Sequence, residues 1–439
     1  MKILLVSHTF LPKYVAGTEV YTYGLAKELS KNNSVSIFTT DPLNKFNDYR
    51  IIKTNYDKIP IFTLRKNIKG SHTFENTYND QKTINPFKKL LSEFKPDIIH
   101  YQHIMHLTPD LVKIGASLKI PQLITLNDFW FQTLLFNRIS SQGKLMFNFT
   151  DEIAATDLAK VFGSGFFYLF NKKSGFINRL FKKIIYKIFG GIFYFFEKSE
   201  YLEKIKVRNL MMRKGLRNAD LVIFPTVFIY QEFSKWGFEA KKTLVSSHGI
   251  NTGIFTNVNK TKSSVLRFGF IGSIIPSKGL DLLLKAWSTV SASNTKLLIY
   301  GNLDSNKKYK KEILNLKNKC KNIKFMGTFL PNEVANVFAG IDILIIPSRW
   351  FENAPLVLRN ALLSHTPIIA TNLGSLVELV NEKCSGLLFE NEDADDLAEK
   401  INSIIKDRKL LNSFEFPKQK SIEENTNELI KIYKSYLKK

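Results

Sequence analysis

The stretch from Asp342 to Thr371 constrains the fold of this chain more than any other. A short apolar run at Ile343–Ile346 precedes a polar loop, a longer apolar run at Leu356–Leu363, and a further short run from Ile368. Short apolar runs between polar breaks are typical of strands buried in a parallel sheet. Pro355 precedes the longer run, and proline is accepted in the first turn of a helix. The stretch therefore predicts a strand, a loop, a helix and a second parallel strand.

The loop and helix start at Glu352–Leu356 form a candidate ligand site. Open α/β sheets bind ligands beyond the carboxyl ends of their strands. A helix start offers unpaired backbone N–H groups and a positive dipole end to an anion. We therefore expect a phosphate-bearing ligand there. The alternative is a purely structural unit in which Asn353 only caps the helix.

The same alternation recurs along most of the chain. The strands predicted in the first half are Lys2–Val6, Val35–Phe38, Ile59–Leu64, Ile98–His100, Gln122–Leu126, Ala219–Pro225 and Leu244-Val245. Those predicted in the second half are Phe268–Ile271, Leu297–Tyr300, Ile323–Met326, Ile343–Ile346, Ile368-Ile369 and Gly386–Phe389. Residues from Leu43 to Asn85 look irregular apart from the strand at Ile59–Leu64. Strands that alternate with helices predict a parallel, doubly wound sheet.

Length and composition suit more than one domain. The chain has 439 residues, 44% of them hydrophobic, enough for two or three domains with a core each. The polar stretch 248–264 is the predicted linker between domains at 1–247 and 265–418, and residues 419–439 are predicted to be a C-terminal helix. Cys320 and Cys384 are far apart, which argues against a disulfide scaffold or a zinc site and favours a reducing cytoplasm. Lys2–Val6 looks like a first strand and not a signal peptide, and no apolar run reaches the roughly 20 residues of a membrane span.

The segment at about 140–217 interrupts the rhythm and carries much of the charge. Residues 160–217 hold 14 lysines and arginines against 3 glutamates, close to half of the net charge of +24. Between Ile177 and Phe196, bulky apolar residues recur at helical spacing. The basic residues on the opposite face are Arg179, Lys182, Lys183 and Lys187. Such a helix predicts an insertion that lies in an anionic membrane interface. The alternative is a helix that packs on the core and leaves its basic face in solvent.

Two further loop positions are candidates for ligand contact. Gly17 precedes a helix after the first strand, where a glycine lets a ligand approach the backbone, although a plain turn glycine fits as well. The G-x-G-x-x-G pattern is missing there, so dinucleotide binding gains no support. Lys278 lies in a loop after a strand and can reach a diphosphate as a flexible point charge. It would share a sheet edge with Glu352.

At this point the sequence resembles a known family. In the second half the matching text is FGFIGSIIPSKGLDLLLKAW, NIKFMGTFLPNEV, IDILIIPSRWFENAPLVLRNALLSHTPIIATNLGSLVELV and SGLLF. In the first half it is LLVSHTFLPKYVAGTEVYTYGLAKEL, PDIIHYQHIMHLTPDL and IPQLITLNDFW. These segments are similar in order and spacing to the retaining glycosyltransferases of family 4, which have the GT-B fold. The resemblance does not cover residues 140–217.

The resemblance implies an α/β chain of two Rossmann-like, doubly wound domains that face a cleft. The first would bind the acceptor, the second a nucleotide-diphosphate sugar, and the C-terminal helix would cross back to the first. No metal or other cofactor is implied. The implied donor-binding residues are Gly17, Gly272, Ser273, Lys278, Phe329, Leu330, Glu352, Asn353, Ala354, Pro355, Leu356 and Asn360. Lys278 would hold the diphosphate and Glu352 the sugar hydroxyls, with Phe329 and Leu330 near the base.

Two positions depart from the family pattern. Asn360 stands where the family has a second glutamate for the ribose hydroxyls, and the amide loses the stronger charged hydrogen bonds of a carboxylate. Asn127 stands where the family commonly has a histidine facing the sugar, and it cannot titrate. His103 lies nearby in the sequence and is a further candidate for the acceptor side. The implied catalytic residues are therefore Glu352, Asn127 and His103.

These observations lead to one hypothesis and three alternatives. The hypothesis is a cytoplasmic, peripherally membrane-associated glycosyltransferase of polysaccharide or cell-envelope synthesis, which moves a sugar with retention from a nucleotide sugar to a lipid-linked or glycan acceptor. The first alternative is a degenerate member that binds or scaffolds without transfer, as Asn127 and Asn360 suggest. A nucleotide-sugar epimerase fits the Glu352–Leu363 stretch poorly. Nucleic acid is not an expected partner, since the aromatic residues share one apolar stripe and do not alternate with the basic ones.

Overall fold

The computed structural model describes residues 1–68, 74–133, 138–140, 143–147, 149–162, 199–255, 260–290, 294–380 and 385–437. It contains an eight-stranded sheet built from the first half of the chain and a six-stranded sheet built from the second. Helices connect the parallel strands of both sheets. The predicted α/β architecture of two Rossmann-like domains is confirmed.

The first sheet has the strand order β3-β4-β2-β1-β5-β6-β7-β8. Its strands are β1 Lys2–Val6, β2 Ser34–Asp41, β3 Ile51–Tyr56, β4 Ile59–Arg65, β5 Ile98–Tyr101, β6 Gln122–Thr125, β7 Leu221–Phe224 and β8 Thr243–Val245. The helices are α1 Gly17–Leu29, α2 Ile84–Phe94, α3 Asp110–Ser117, α4 Asp151–Phe162, α5 at 199–218 and α6 Val227–Lys235. All strand pairs are parallel except β3 with β4.

The second sheet is parallel throughout and has the order β11-β10-β9-β12-β13-β14. Its strands are β9 Leu266–Ile271, β10 Thr295–Tyr300, β11 Ile323–Gly327, β12 Ile343–Ile346, β13 Ile368–Thr371 and β14 Gly386–Phe389. The helices are α7 Leu280–Thr289, α8 Lys307–Lys317, α9 Val334–Ala339, α10 Leu356–Leu363, α11 Ser375–Val380 and α12 Ala394–Lys406. All four residues of β12 are buried, as expected for a strand covered on both faces.

The last helix, α13 at Ile422–Leu437, packs against α1 of the first domain. Leu429 and Tyr433 are buried there, and the Tyr433 hydroxyl lies 2.7 Å from Nδ1 of His100 on β5. The end of the chain therefore ties the second half back to the first sheet. The exact domain limits given by the sequence stay a prediction.

One region differs from the sequence-based expectation, and another lies outside the described residues. The irregular stretch before Ile59 contains strand β3, which forms an antiparallel hairpin with β4. Its turn residues Asp57 and Lys58 have φ of 48° and 65°, a backbone region that usually selects glycine or asparagine, so the turn left little sequence signal. The expected membrane helix with Arg179, Lys182, Lys183 and Lys187 lies outside the described residues. Among the helices that the structure describes, none is both long and apolar enough to cross a bilayer.

Candidate active site

The candidate site lies where two neighbouring strands of the second sheet end. β9 and β12 pair in parallel, so the loops that follow them leave the same edge side by side. The Arg349 amide donates to the Ser277 carbonyl at 2.9 Å. Gly279 has φ +69°, and a Cβ there would lie 1.9 Å from the Pro347 carbonyl oxygen. Only glycine allows this approach, so the two loops are fixed against each other.

A buried ion pair clamps these loops. The Arg349 guanidinium contacts both carboxylate oxygens of Asp281, at 2.5 and 2.8 Å, and the Tyr309 hydroxyl donates to the same carboxylate at 2.6 Å. Burial alone would raise the pKa of Asp281, but the hydrogen bonds from Arg349 and Tyr309 outweigh it and hold that pKa below its usual range. The carboxylate is therefore ionised and held by two donors. Sequence reasoning missed this clamp, because its partners are 68 positions apart and form no motif.

The clamp brings Lys278 and Glu352 together. The Lys278 Nζ donates to Oε1 of Glu352 at 2.6 Å, and the Ser348 hydroxyl donates to the same oxygen at 2.7 Å. Glu352 is only 7% exposed. Burial would raise the pKa of Glu352, but the charge and hydrogen bond of Lys278 dominate and lower it. Lys278 also lies 4.6 Å above the Trp350 ring, so the cation is fixed from two sides.

The start of α10 lies next to Glu352 and offers unpaired donors. Leu358 and Arg359 donate their amides to the Pro355 carbonyl. Within the described ranges, the amides of Asn353, Ala354, Leu356 and Val357 have no protein acceptor. Four such donors at the positive end of a helix, beside a lysine, can bind an anion.

Contrary to the structural alternative, Asn353 does not cap α10. The residue preceding α10 is Pro355, and no side chain caps this helix. Asn353 instead reaches the first domain, where its Nδ2 donates to the Leu126 carbonyl at 3.1 Å and its Oδ1 accepts from the Thr226 hydroxyl at 3.0 Å. The candidate donor loop, residues 347–355, is therefore in direct contact with the end of β6.

Of the remaining predicted donor residues in the second domain, four follow strands and one lies within α10. Gly272 and the exposed Ser273 follow β9. Phe329 follows β11, with its ring 5.8 Å from that of Tyr300, and Leu330 beside it is 63% exposed. Asn360 is half-buried on α10. The four residues that follow β9 and β11 therefore lie at the carboxyl edge of the second sheet.

Gly17 begins α1 at the corresponding edge of the first sheet. Unlike Gly279, it has no steric need for glycine, since a Cβ there would meet no atom within 4 Å. The space beside its backbone is therefore open to a ligand.

The predicted catalytic residues of the first domain have different environments. The Asn127 Nδ2 donates to the Gln102 carbonyl at 2.8 Å, while its Oδ1 is buried without a partner among the described residues. His103 uses both ring nitrogens: Nδ1 accepts the Met105 amide at 3.1 Å, and Nε2 faces both oxygens of Asp128, at 3.2 and 3.0 Å. The proton of the neutral ring is therefore on Nε2. His103 orients Asp128 and has no ring nitrogen left for a substrate.

Asp128 is a partly exposed carboxylate at the carboxyl edge of the first sheet that sequence reasoning missed. Its side chain is 28% exposed, and its Oδ1 also accepts the Trp130 amide at 2.8 Å. The next residue, Phe129, packs against Phe351 of the donor loop with ring centroids 6.0 Å apart. The only sequence signal was its place directly after Asn127 at the end of a buried strand.

The carboxyl edge of the first sheet also holds buried polar atoms without described partners. They are Ser7 Oγ, Glu19 Oε2, Thr39 Oγ1, and both Oε1 and Nε2 of Gln102. An unpaired buried polar group costs about 1–3 kcal/mol, so such groups normally bind water or a ligand. His8 lies among them with Nε2 3.6 Å from Glu19 Oε1, and burial, with help from His103 and His106, lowers the pKa of His8 well below its usual value.

Two family models match this chain. The model of "Glycosyl transferases group 1" matches residues 255–426, and the model of "Glycosyltransferase Family 4" matches residues 15–158.

Curated relatives match part of the chain. An uncharacterized glycosyltransferase of Methanocaldococcus jannaschii is 30% identical over 223 residues, 49% of this chain and 60% of that protein. A D-inositol 3-phosphate glycosyltransferase of Stackebrandtia nassauensis is 27% identical over 184 residues, 38% of this chain and 41% of that protein. The chain thus spans about half the length of the curated relatives it matches.

Solved structures match the chain over its whole length. A sucrose-phosphate synthase from Thermosynechococcus elongatus has a TM-score of 0.66 at 18% identity, covering 99% of this chain and 98% of that one. The Anabaena HepE protein in complex with UDP and glucose has a TM-score of 0.58 at 15% identity, covering 100% of this chain and 97% of that one. At these identities the likeness shows the fold.

Proposed function

The chain belongs to glycosyltransferase family 4, whose two family models together match most of it, and on that premise we propose that it transfers a sugar from a nucleotide-diphosphate sugar. The observation that carries the proposal is the buried Lys278–Glu352 pair beside the unpaired amides of α10. A lysine and a helix start suit a diphosphate, and an adjacent ionised carboxylate suits sugar hydroxyls. Structures of Anabaena HepE hold UDP and UDP-glucose, which supports a donor of this class.

The same groups support a leaving-group role that requires no metal ion. As the bond between the anomeric carbon and the phosphate oxygen breaks, negative charge grows on the diphosphate. Lys278 and the α10 amides would stabilise that charge as preorganised donors. The site is thus proposed to use no cofactor besides the nucleotide sugar.

We propose transfer with retention at the anomeric carbon. The acceptor hydroxyl forms its bond to this carbon on the face that the diphosphate leaves, and the hydroxyl proton passes to an oxygen of the leaving diphosphate. This route needs no titrating residue at Asn127, which would only hydrogen-bond the sugar. Glu352 would hold the sugar in place, and Asp128, oriented by His103, would bind the acceptor hydroxyl.

The acceptor is proposed to be lipid-linked or a glycan, reached at the cytoplasmic face of an anionic membrane. Charge supports this proposal, since residues 160–217 carry 14 of the 63 lysines and arginines. In the described part of this region, Val207 and Leu210 on α5 are 54% and 69% exposed, one helical turn apart. Apolar side chains among basic ones suit a membrane interface.

A liposome flotation assay tests the membrane part. Arg179, Lys182, Lys183 and Lys187 are changed together to glutamate, and the matched control reverses Lys307, Lys308, Lys310 and Lys311 on α8. We expect the first variant alone to lose binding to vesicles that contain anionic lipid. Equal binding by wild type and the first variant would disprove the membrane proposal.

A donor panel with a membrane lipid extract as acceptor tests the transfer itself, with products detected by mass spectrometry. We expect one nucleotide sugar to be consumed by wild type and by Lys285→Ala, but not by Glu352→Gln. Calorimetric titration with the same panel distinguishes an active transferase from the alternative of a degenerate family member that does not transfer sugar. If wild type binds no donor, the chain is a non-catalytic family member.

A further inference from the structure

The turn that opens α6 in the first domain is fastened to the second domain by polar contacts. The Glu378 carboxylate of α11 accepts the amides of Val227 and Phe228, at 3.1 and 2.9 Å. These amides belong to the first turn of α6, whose N–H groups have no partner within the helix. The adjacent Thr226 hydroxyl donates to Oδ1 of Asn353. A carboxylate of one domain therefore caps a helix of the other.

Both partners on the second-domain side are tied to the donor loop, residues 347–355. Asn353 is part of it. The helix that carries Glu378 begins at Ser375, whose hydroxyl donates to the Glu352 carbonyl. Because Asn353 also binds the Leu126 carbonyl, the contacts join the Glu352 backbone to the strand end that precedes Asn127 and Asp128.

Packing alone does not fix this position. On one side the contacts border a cavity of about 730 Å³, lined by Thr226, Ala354, Glu378 and residues between 417 and 428, which lead into and begin α13. On the other side the described contacts are made by rings and one cation: Phe228 and Phe351 lie 5.2 Å apart, and the Arg138 guanidinium lies 5.6 Å from the Phe351 ring. Polar contacts are directional, whereas ring contacts tolerate sliding. The bonds of Thr226 and Glu378 therefore set how the donor loop sits against the first domain.

We propose that Thr226 and Glu378 are positioning residues that hold the donor loop, which carries Glu352, against the end of β6. Neither touches the reacting atoms in this scheme; they act through Asn353 and through the Glu352 backbone. The consequence for transfer rests on the proposed function, whereas the coupling itself is a property of the ligand-free chain.

Hydrogen–deuterium exchange of the full ligand-free chain tests the coupling. The reporters are the protected amides of Arg349 and Leu358, which donate to the carbonyls of Ser277 and Pro355. In Glu378→Gln and in Thr226→Val we expect their exchange to rise about tenfold, as expected when a hydrogen bond worth about 1.4 kcal/mol is lost. Thr226→Ser keeps the hydroxyl and should exchange like wild type. A purely local capping role would raise exchange only at the start of α6.

Tyr21→Phe is the matched control. It removes a buried bond of 2.9 Å from the Tyr21 hydroxyl to Asn425 at the start of α13, which also joins the first domain to the end of the chain but lies away from the donor loop. Its reporters should match wild type. Wild-type exchange of the reporters in Glu378→Gln and Thr226→Val would overturn the proposal, and so would equal loosening by Tyr21→Phe. An inactive wild-type protein that still shows the coupling would contradict only the proposed function.

Discussion

The two sheet edges that face the candidate site are built differently. The edge of the second sheet is tightly paired: Lys278 with Glu352, and Arg349 with Asp281, are joined by hydrogen bonds of 2.5 to 2.8 Å. The edge of the first sheet holds buried polar atoms without described partners, including both side-chain atoms of Gln102. A preorganised edge suits a group of fixed chemistry, such as a diphosphate. An edge with unused donors and acceptors suits a partner that supplies its own hydroxyls.

The largest expected effect is at the paired edge. Lys278→Ala removes the cation that would stabilise the charge growing on the diphosphate, and removing one preorganised donor of this kind typically lowers kcat about 10²- to 10³-fold. We expect kcat/KM for the donor to fall about a thousandfold. Steady-state kinetics with the donor found in the panel measure it. Lys285→Ala, which removes a half-exposed partner of Asp281 at 3.4 Å, should change kcat/KM less than threefold. A similar loss in both variants would mean that the pair has no special role.

The two edges also differ in what the sequence could predict. Lys278 and Glu352 each follow an apolar run that the sequence predicts to be a strand. Because the strands are parallel, their carboxyl ends lie at the same edge of the sheet, so the proximity of the two residues could be predicted. Arg349 and Asp281 are joined only by the folded chain, and no periodicity links them. On the first sheet, Asp128 becomes visible only once the structure shows that His103 is fully bonded. Hairpin β3–β4 was missed because its turn lacks glycine.

The next largest expected effect is a loss of stability at low pH, which originates in buried histidines of the first domain and the linker. His100 on β5 and His248 at the linker are buried, and burial lowers the pKa of each to about 3. The unfolded chain binds their protons below about pH 6.5 and the folded chain does not, so stability falls with pH from there down to about 3. At pH 5 each histidine should cost about 2 kcal/mol of unfolding free energy.

Denaturant titrations between pH 7.5 and 5 measure this slope. His100→Gln should remove about a third of the expected loss, whatever its effect at neutral pH, because the pKa values of the buried His8 and His248 are lowered as well and these two residues contribute the rest. The matched control in the second domain is His365→Gln, because His365 is exposed there. If both variants keep the wild-type slope, burial of His100 does not govern the acid response.

Asp128 is expected to affect kcat/KM for the acceptor and not the affinity for the donor. Asp128→Asn keeps the side-chain shape but weakens any bond to an acceptor hydroxyl, since charged hydrogen bonds are worth about 1.5–3 kcal/mol against about 1 for neutral ones. We expect kcat/KM for the acceptor to fall about tenfold while donor affinity, measured by calorimetry, is unchanged. Asp110→Asn, at the start of α3, should leave both quantities alone. A fall in donor affinity would instead place Asp128 on the donor side.

The smallest expected effect concerns the one weak point of the paired edge. Asn360 lies on α10, and a glutamate there would give ribose hydroxyls a charged acceptor in place of a neutral one. Asn360→Glu should therefore bind the donor about fivefold more tightly by calorimetry, a gain limited by repulsion between the new carboxylate and the diphosphate. Asn318→Glu, the same substitution on the exposed surface beyond α8, should leave affinity unchanged. Weaker binding by Asn360→Glu would show that the amide is fitted to its ligand, so that the departure from the family pattern reflects donor choice and not decay.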